Sequence, residues 1–350
     1  MHIVIYDKMC RTANGWDING FGQLKDGRGN ICPVTIIMPT LAMETKQWVD
    51  NQGLDHLPPR YKEEGIQQAY VDSFMDLLND KIIEAKDMLI ERFNYICSQS
   101  PSSAKFMYEN GTMVGYVPEE GIRSALKHGT LALGQLGLAE TLQILIGTDH
   151  TTEEGMRLAK RIESLFKTRC AGFKEEYKLN FGVYYTPAEN LCHTALVKFR
   201  DKYGVIPNVS DKEYFTNSIH VPVWKEVSPF DKIDIESQLT GYSSAGCITY
   251  VELDGGVLNN TEALEQIVNY AMEHDIPYFA INVPNDLCED CGFTGEINDT
   301  CPMCGGDRIQ RLRRVTGYLT GDYKTAFNVG KQQEVENRIR HSHLISTEED

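Results

Sequence analysis

The 350-residue chain is predicted to adopt an α/β fold with parallel strands. Short runs rich in β-branched and aromatic residues alternate with amphipathic segments, and turn-forming residues separate them. The composition, 41% hydrophobic and 24% charged, is that of an ordinary globular protein. A chain of this length can bury a large core, either as one big domain or as two smaller ones.

The first third of the chain is predicted to contain a loop, a strand and a long helix. Residues 1–30 are rich in glycine and lack periodicity, which is typical of a loop. Residues 31–38 form a short apolar run that predicts a buried strand. Between residues 63 and 96 apolar side chains recur every three or four positions, so we expect a long amphipathic helix there, with room for an interruption.

Helices and strands alternate in the rest of the chain. Residues 130–147 are predicted to form a mostly apolar helix in which Gly134 and Gly137 permit close packing. Residues 152–168 have the pattern of a polar amphipathic helix that begins at a threonine N-cap. Strands are predicted at 181–185, 247–253 and 278–283, and helices after Pro187 and at 262–273.

Charge and hydropathy exclude several classes of function. The formal net charge of -16 argues against a nucleic-acid coat protein and against an anionic membrane surface as partner. No apolar run approaches the roughly 18–20 residues that span a bilayer, and the N-terminus lacks the pattern of a signal peptide. A cytosolic location is expected, where ten cysteines are typical of thiols or metal ligands. A small basic cluster is typical of salt bridges, although a phosphate pocket stays open: Arg311, Arg313 and Arg314.

Four cysteines have the spacing of a metal site. Cys288 and Cys291 form one Cys-x-x-Cys pair, and Cys301 and Cys304 form a second pair nine residues later. Each pair can direct two sulfurs to one ion from a tight turn, and four thiolates are a preferred shell for structural zinc. Iron is the alternative, because four-sulfur sites accept both metals. A closed set of four ligands predicts a role in folding and not in catalysis.

The metal-binding segment is followed by the run Arg-Val-Thr-Gly-Tyr at 314–318. A glycine in such a short run is usually a turn residue, so the pentapeptide alone is weak evidence. Glycine is nevertheless suited to carry an α-carbon radical, because it lacks a side chain and its α-carbon can become planar between two amide groups. The match continues through Asn-Val-Gly-Lys at 328–331 to Glu334. Together with the preceding cysteines, this segment resembles the C-terminus of the anaerobic ribonucleoside-triphosphate reductases of phages and bacteria.

The resemblance implies a ten-stranded α/β barrel of the glycyl radical enzymes, with the radical stored on Gly317. In that family the stored radical oxidises a cysteine at the tip of a finger loop, and the thiyl radical removes the ribose 3′-hydrogen. The run Met-Cys-Arg-Thr around Cys10, followed by Gly-Arg-Gly-Asn ending at Asn30, is similar to that loop and its exit. The resemblance therefore implies that Cys10 is the thiyl residue and that Thr12 and Asn30 bind the ribose hydroxyls.

Further matches extend the resemblance to nearly the whole chain. Thr-Pro-Ala-Glu at 186–189 makes Glu189 a candidate for proton transfer during loss of the 2′-hydroxyl. An acidic residue at a helix start is equally typical of a favourable interaction with the helix dipole, and both interpretations stay open. His220 is interpreted as a structural histidine. The cysteines without ligand spacing are interpreted as buried thiols: Cys32, Cys97, Cys170, Cys192 and Cys247.

Full-length members of the family carry several hundred residues before the finger loop, including an allosteric nucleotide site, half of the barrel and a second active-site cysteine. Cys10 is close to the start of this chain, so we interpret the chain as the C-terminal half of a reductase, either a split-gene product or a shortened form. A half-barrel exposes strand edges and apolar surface, and an N-terminal reductase fragment is therefore expected as a partner. The expected divisions are 1–30 (finger loop), 31–283 (second half of the barrel), 284–308 (zinc module) and 309–350 (radical loop with C-terminal helix and tail).

The resemblance also implies the cofactors and partners of the reaction. Ribonucleoside triphosphates are the substrates and formate is the reductant. An activating enzyme with an iron–sulfur cluster uses S-adenosylmethionine to generate the radical. A dimeric assembly in the cytoplasm, that of the host if a phage encodes the chain, is expected.

Two alternatives stay open from the sequence. A pyruvate formate-lyase-like enzyme or a dehydratase shares the Arg-Val-x-Gly-Tyr loop, and a remnant of the enzyme would bind zinc without catalysis. The cysteine segment and the Cys-Arg finger followed by Gly-Arg-Gly-Asn favour the reductase over the first alternative, and the presence of both Cys10 and Gly317 weighs against the second.

Overall fold

The computed structural model describes residues 13–53, 55–186, 188–315, 318 and 321–341. The chain divides into two compact units. The first contains the residues up to Thr186 together with Gly241–Cys247, and the second contains the residues from Pro187 to Thr240 and from Ile248 onward. Within the described ranges, helices and strands alternate as predicted.

The first unit is built on a three-stranded parallel sheet. Its strands lie in the order β1 (Asn30–Ile37), β2 (Thr130–Leu136) and β3 (Asn180–Val183). The strands predicted at 31–38 and 181–185 are confirmed with small shifts at their ends. Strand β2 is the middle strand, and every one of its residues is buried.

The helix predicted over 130–147 is wrong for the first half of the segment and confirmed for the second half. The segment is strand β2, then Gly137 in the left-handed conformation with φ of 79°, then helix α6 (Leu138–Ile146). A strand that is buried on both faces has a continuous apolar run, and this run lacks the alternation that distinguishes a strand from a buried helix. Gly134 permits close approach within the sheet, because a Cβ atom there would lie 2.6 Å from the carbonyl oxygen of Tyr184.

The other helices of the first unit cover this sheet. Gly65, with φ of 90°, separates a short helix from a long one and accounts for the predicted interruption. Thr152 is confirmed as an N-cap, since its side chain accepts a hydrogen bond from the N–H of Gly155 at 3.2 Å. The remaining helices are α1 (Met38–Gln52), α2 (Tyr61–Glu64), α3 (Ile66–Cys97), α4 (Lys105–Tyr108), α5 (Arg123–Leu126) and α7 (Glu153–Tyr177). Helix α3 packs on β1 and β2, and helix α7 packs on β3.

The second unit contains a parallel strand pair with its own apolar core. Strands β4 (Thr249–Glu252) and β5 (Phe279–Asn282) pair in parallel, which confirms both predicted strands. Its first three helices are α8 (Asn190–Tyr203), α9 (Pro229–Thr240) and α10 (Thr261–Glu273). The core joins α9 and α10 to β4 through Ile233, Ile267 and Val251. Pro187, predicted to start a helix, lies outside the described residues.

The C-terminal part of the second unit holds a small antiparallel sheet and two short helices. Strand β6 (Asn285–Cys288) lies between β7 (Thr294–Gly295) and β8 (Ile309–Leu312). Helices α11 (Tyr323–Ala326) and α12 (Val329–Glu336) follow. Across the described ranges of both units, no helix is both long enough and apolar enough to cross a membrane.

Candidate metal centre and radical loop

The four cysteines predicted to bind metal lie on two turns that are built in the same way. The N–H of Gly292 donates to the carbonyl oxygen of Cys288 at 2.9 Å, and the N–H of Gly305 donates to that of Cys301 at 2.9 Å. These glycines have φ of 76° and 74°, in the left-handed region that glycine adopts without steric cost. The first cysteine of each pair is buried and the second is exposed. The repeated turn directs all four sulfurs toward one point.

The sulfur positions fit a four-coordinate metal. All four Sγ atoms lie within 4.8 Å of one another. The Sγ atoms of Cys288 and Cys304 are 3.6 Å apart, and those of Cys291 and Cys301 are also 3.6 Å apart. Tetrahedral zinc with Zn–S bonds of about 2.3 Å holds its sulfurs about 3.8 Å apart, so the geometry suits zinc. Iron would accept the same ligands.

Charged side chains join the cysteine segment to the stem of the predicted radical loop. The fully buried carboxylate of Asp286 accepts hydrogen bonds from both terminal nitrogens of Arg313 and, at 3.0 Å, from the N–H of Ile297. Arg311 donates to the carbonyl oxygen of Ile297 at 2.6 Å. Arg311 and Arg313 are thus engaged within the fold, as expected for salt bridges.

Two residues close the base of the predicted radical loop. The N–H of Val315 donates to the carbonyl oxygen of Tyr318 at 3.1 Å, and the N–H of Tyr318 donates to that of Val315 at 2.9 Å. The residues between them, Thr316 and Gly317, lie outside the described residues. The role of Gly317 therefore stays a prediction. The two hydrogen bonds between Val315 and Tyr318 hold together the residues on either side of this segment.

The base of the loop contacts the start of helix α8. The Tyr318 hydroxyl donates to Oδ1 of Asn190, and Nδ2 of Asn328 donates to the same oxygen. The Tyr318 ring also packs against Phe327, with ring centroids 5.0 Å apart. Asn190 and Tyr318 are 128 positions apart in the chain, so the sequence offers no local signal for this contact.

Glu189, the predicted catalytic carboxylate, lies at this contact in an unusual backbone conformation. Its φ and ψ are 38° and -113°, and the preceding Ala188 has φ of 52°. Residues other than glycine rarely adopt such angles, and each costs about 1–3 kcal/mol. Burial raises the pKa of the Tyr318 hydroxyl, and repulsion from the Glu189 carboxylate raises it further. Glu189 occupies the N-cap position of α8 without a side-chain capping hydrogen bond, and its interaction with the helix dipole and its catalytic role both stay open.

A buried ion pair on helix α12 lies close to Tyr318. The Lys331 ammonium is 1% exposed and donates to Oε2 of Glu334 at 2.6 Å. Burial disfavours the charged lysine, but Cys192 and Glu334 outweigh this effect and raise the pKa of Lys331 overall. Burial likewise opposes ionisation of Glu334, and the neighbouring cations overcome it, so the pKa of Glu334 is lowered. Both groups are therefore charged at neutral pH.

The chain enters the predicted radical loop at Arg314, on what we call the incoming side, and leaves it at Tyr318, on the outgoing side. The incoming side is held by Arg338, which follows α12. Its Nη1 donates to the carbonyl oxygen of Arg314 at 2.6 Å and to Oε2 of Glu252 at 3.1 Å. The side chains of Arg338 and Glu252 are only 11% and 12% exposed. The residue before the loop base is thus fixed by a largely buried ion pair that sequence reasoning did not identify.

The predicted residues near the N-terminus are only partly described. Cys10 and Thr12 lie outside the described residues, so their roles stay predictions. Asn30 is the first residue of β1, and its Nδ2 donates to the carbonyl oxygen of Ala245 at 3.2 Å. Arg28 is buried and donates to three backbone carbonyl oxygens at 2.5–2.9 Å. These hydrogen bonds fix the segment that is predicted to follow the finger loop.

A second residue that sequence reasoning missed is an acid in the core of the first unit. Glu163 of α7 is fully buried, and its Oε1 accepts a hydrogen bond from Nε2 of Gln135 at 2.9 Å. Burial raises the pKa of Glu163 to about 7, although hydrogen bonds from Tyr185 and Gln135 oppose the rise. The available signal was a charged residue on the apolar face of α7, next to Ile162.

His220 is buried and contacts another buried group, which agrees with the structural interpretation. Its Nδ1 lies 3.3 Å from Oε2 of Glu236, whose Oε1 lies 3.6 Å from the Lys232 ammonium. Of the cysteines interpreted as buried thiols, Cys170, Cys192 and Cys247 are buried. The interpretation is wrong for two of the five, since Cys32 and Cys97 are half-buried.

Comparisons with known proteins identify the relatives of the chain. The sequence model of the family "Anaerobic ribonucleoside-triphosphate reductase" matches residues 3–341. The anaerobic ribonucleoside-triphosphate reductases of Escherichia coli K12 and of phage T4 are 33% and 29% identical to the chain, each over 95% of it. The match spans 45% of the bacterial protein and 52% of the phage protein, so the chain spans about half the length of these relatives.

Solved structures show a shared fold at low sequence identity. An anaerobic ribonucleotide reductase covers 90% of this chain and 45% of its own, with a TM-score of 0.69 and 21% identity. That of Thermotoga maritima in complex with dATP and CTP covers 95% of this chain and 48% of its own, with a TM-score of 0.65 and 20% identity. The B12-independent glycerol dehydratase of Clostridium butyricum covers 78% and 39%, with a TM-score of 0.53 and 10% identity.

The structural likeness shows that the chain shares the fold of these solved structures, and the sequence comparisons assign the family. The family match over residues 3–341 and the 33% identity to the bacterial enzyme show that the chain belongs to the anaerobic ribonucleoside-triphosphate reductases.

Proposed function

We propose that the chain performs the radical chemistry that reduces ribonucleoside triphosphates to deoxyribonucleoside triphosphates. One observation carries this proposal. The base of the predicted radical loop at Tyr318 contacts Asn190, directly beside Glu189, although these segments are 128 positions apart. The loop that would store the radical therefore lies next to Glu189, the carboxylate that would deliver a proton. The family match supports the class of substrate.

The proposed reaction begins with transfer of hydrogen atoms. The radical on Gly317 takes the thiol hydrogen of Cys10 and leaves a thiyl radical. The thiyl radical then takes the 3′-hydrogen of the ribose, so that a C–H bond breaks and an S–H bond forms. The 2′-hydroxyl gains a proton, which Glu189 delivers, and leaves as water. Thr12 and Asn30 hold the ribose hydroxyls during these steps.

Two electrons must then enter the product. Formate supplies them and is oxidised to carbon dioxide. One ribonucleoside triphosphate, one formate and one proton thus yield one deoxyribonucleoside triphosphate, one carbon dioxide and one water. Cys10 finally returns the hydrogen atom to the 3′-carbon and recovers its radical.

The chain spans about half the length of its relatives, and we propose that an N-terminal polypeptide supplies the second cysteine, the allosteric site and the rest of a ten-stranded barrel. We further propose a dimeric assembly.

The four-cysteine site is proposed to hold zinc in a structural role. Four thiolates leave no open coordination position, so no step of the reaction passes through the metal. Support comes from β6, which carries Cys288 and pairs with the strand that leads to the loop. The buried contact between Asp286 and Arg313 adds to this connection.

Anaerobic activation tests the proposal. The chain, the N-terminal polypeptide and an S-adenosylmethionine-dependent activating enzyme should together give the doublet of a glycyl radical in electron paramagnetic resonance. With formate and ribonucleoside triphosphates, deoxyribonucleotides should form. Gly317→Ala should abolish the doublet, and Cys10→Ser should keep the doublet but stop product formation. A doublet without any deoxyribonucleotide would overturn the proposed reaction, and a doublet that survives in Gly317→Ala would overturn the radical assignment.

A further inference from the structure

We propose that Asn190 is a positioning residue that fastens the outgoing side of the radical loop to the corner that carries Glu189. Its Oδ1 accepts hydrogen bonds from the Tyr318 hydroxyl and from Nδ2 of Asn328. These partners come from the base of the loop and from the N-cap of helix α12, while Asn190 itself begins α8. Three segments of the second unit therefore meet at one side-chain oxygen, which we name the Asn190 clasp.

The orientation of the Asn190 carboxamide follows from the hydrogen bonds of its neighbour. Asn328 caps α12 with its own Oδ1, which accepts from the N–H of Lys331 at 2.9 Å. Its Nδ2 is then the group that faces Asn190, and Asn190 must present an oxygen to it. The Tyr318 hydroxyl must donate to that same oxygen. The clasp therefore requires an acceptor at position 190, which aspartate provides and alanine does not.

The two sides of the loop are held by contacts of different strength. On the incoming side, the carbonyl oxygen of Arg314 accepts from Arg338, whose charge is 11% exposed and paired with Glu252. On the outgoing side, Tyr318 is held by a hydrogen bond between uncharged groups at the exposed residue Asn190. Water competes more easily for the second contact. The contact of Tyr318 with Asn190 should therefore break more readily than the contact of Arg314 with Arg338.

The clasp also affects the backbone next to it. Ala188 and Glu189 have positive φ angles, and such a conformation persists only where the surrounding structure holds it. The hydrogen bonds of Asn190 are part of that support, because Asn190 is the next residue. Opening the clasp would let the corner relax and move the Glu189 carboxylate. This catalytic consequence rests on the proposed function, whereas the clasp itself does not.

Hydrogen exchange on the 350-residue chain tests the clasp without any activity. Asn190→Ala should speed exchange of the Val315 and Tyr318 amides roughly fivefold to tenfold, as expected when a hydrogen bond that limits local opening is lost. Tyr318→Phe should have the same effect, and Asn190→Asp should stay near wild type. Asn260→Ala is the matched control, because it removes an asparagine side chain at the start of a different helix of the second unit, where Oδ1 of Asn260 accepts from the N–H of Ala263 at 3.0 Å.

Two results of the exchange experiment would overturn the clasp. One is unchanged exchange at Val315 and Tyr318 in Asn190→Ala. The other is equal exchange in Asn190→Ala and Asn190→Asp, since the role of the residue would then lie in starting helix α8 and not in accepting hydrogen bonds.

The assembled and activated enzyme tests the catalytic consequence. Asn190→Ala should acquire the glycyl radical at least as fast as wild type but form several-fold less deoxynucleotide per radical, with KM unchanged. The pH profile of its turnover should shift, because Glu189 has moved, and Asn190→Asp should restore turnover per radical. Unchanged turnover per radical in Asn190→Ala would refute the positioning role. Absence of a radical in the wild-type enzyme would refute the proposed function and leave the exchange result standing.

Discussion

Replacing Glu163 by glutamine should change how the stability of the chain depends on pH. Burial raises the pKa of this carboxyl from its ordinary value of 4.5 to about 7 in the folded state. Because the folded pKa is the higher one, the unfolded chain loses the proton first. The stabilisation is fully present below pH 4.5 and is lost as the pH rises to about 7. The loss amounts to about 3 kcal/mol, at about 1.36 kcal/mol per pH unit.

Glutamine has nearly the same shape as the protonated acid and does not titrate. Urea unfolding of wild type and Glu163→Gln between pH 4.5 and 7.5 should therefore show the variant gaining about 3 kcal/mol relative to wild type. Glu176→Gln is the control for a change of charge, because Glu176 is an exposed carboxylate on the same helix. A change of less than about 1 kcal/mol in the Glu163→Gln difference would refute the reasoning, since the buried carboxyl would then titrate near its ordinary pKa.

Three further substitutions have expected outcomes. Cys301→Ser removes one of four metal ligands, so bound zinc measured by atomic absorption should fall from one per chain to near zero; retention of zinc would contradict the four-sulfur site. Arg338→Met leaves the largely buried Glu252 carboxylate without its cation and should lower the free energy of unfolding, measured in urea, by about 3–5 kcal/mol. Arg340→Met, at a 40% exposed side chain, should lower it by under about 1 kcal/mol. Equal effects of the two would refute the buried anchor. Gly134→Ala places a Cβ 2.6 Å from the carbonyl oxygen of Tyr184 and should lower the unfolding midpoint, with a loss of about 1–3 kcal/mol; an unchanged midpoint would contradict the close approach.

Local patterns were sufficient to predict much of the fold. Strands β4 and β5 and helix α10 of the second unit were predicted because strand-forming and helix-forming segments there alternate with clear boundaries, whereas helix α9 and strands β6, β7 and β8 were not predicted. The cysteine site was also predictable, since two closely spaced pairs and their glycines carry the whole geometry of the turns. Strand β2 was missed because it is buried on both faces, and such a strand has no polar alternation in its sequence.

The candidate site was predictable only in its parts. The predictions of a radical loop and of a role for Glu189 rest on short motifs and stay predictions, whereas Asn190 and Arg338 have no motif of their own. Asn190 belongs to the candidate site because it contacts Tyr318, 128 positions away in the chain. Arg338 belongs to it because it forms a largely buried ion pair with Glu252. Such contacts depend on how separate segments pack, which no spacing along the chain records. Glu163 belongs to the same class, because its properties come from the burial of one helix face.

The left-handed corner at Ala188 and Glu189 has a practical meaning for protein engineering. Glycine would adopt both conformations at little steric cost, so Ala188→Gly is a natural choice for anyone who seeks a more stable chain. The same change would give the backbone beside the predicted acid more freedom to leave its present orientation. Thermal stability and the orientation of the predicted acid are thus opposed at this position, and stabilising changes are better placed elsewhere in the chain.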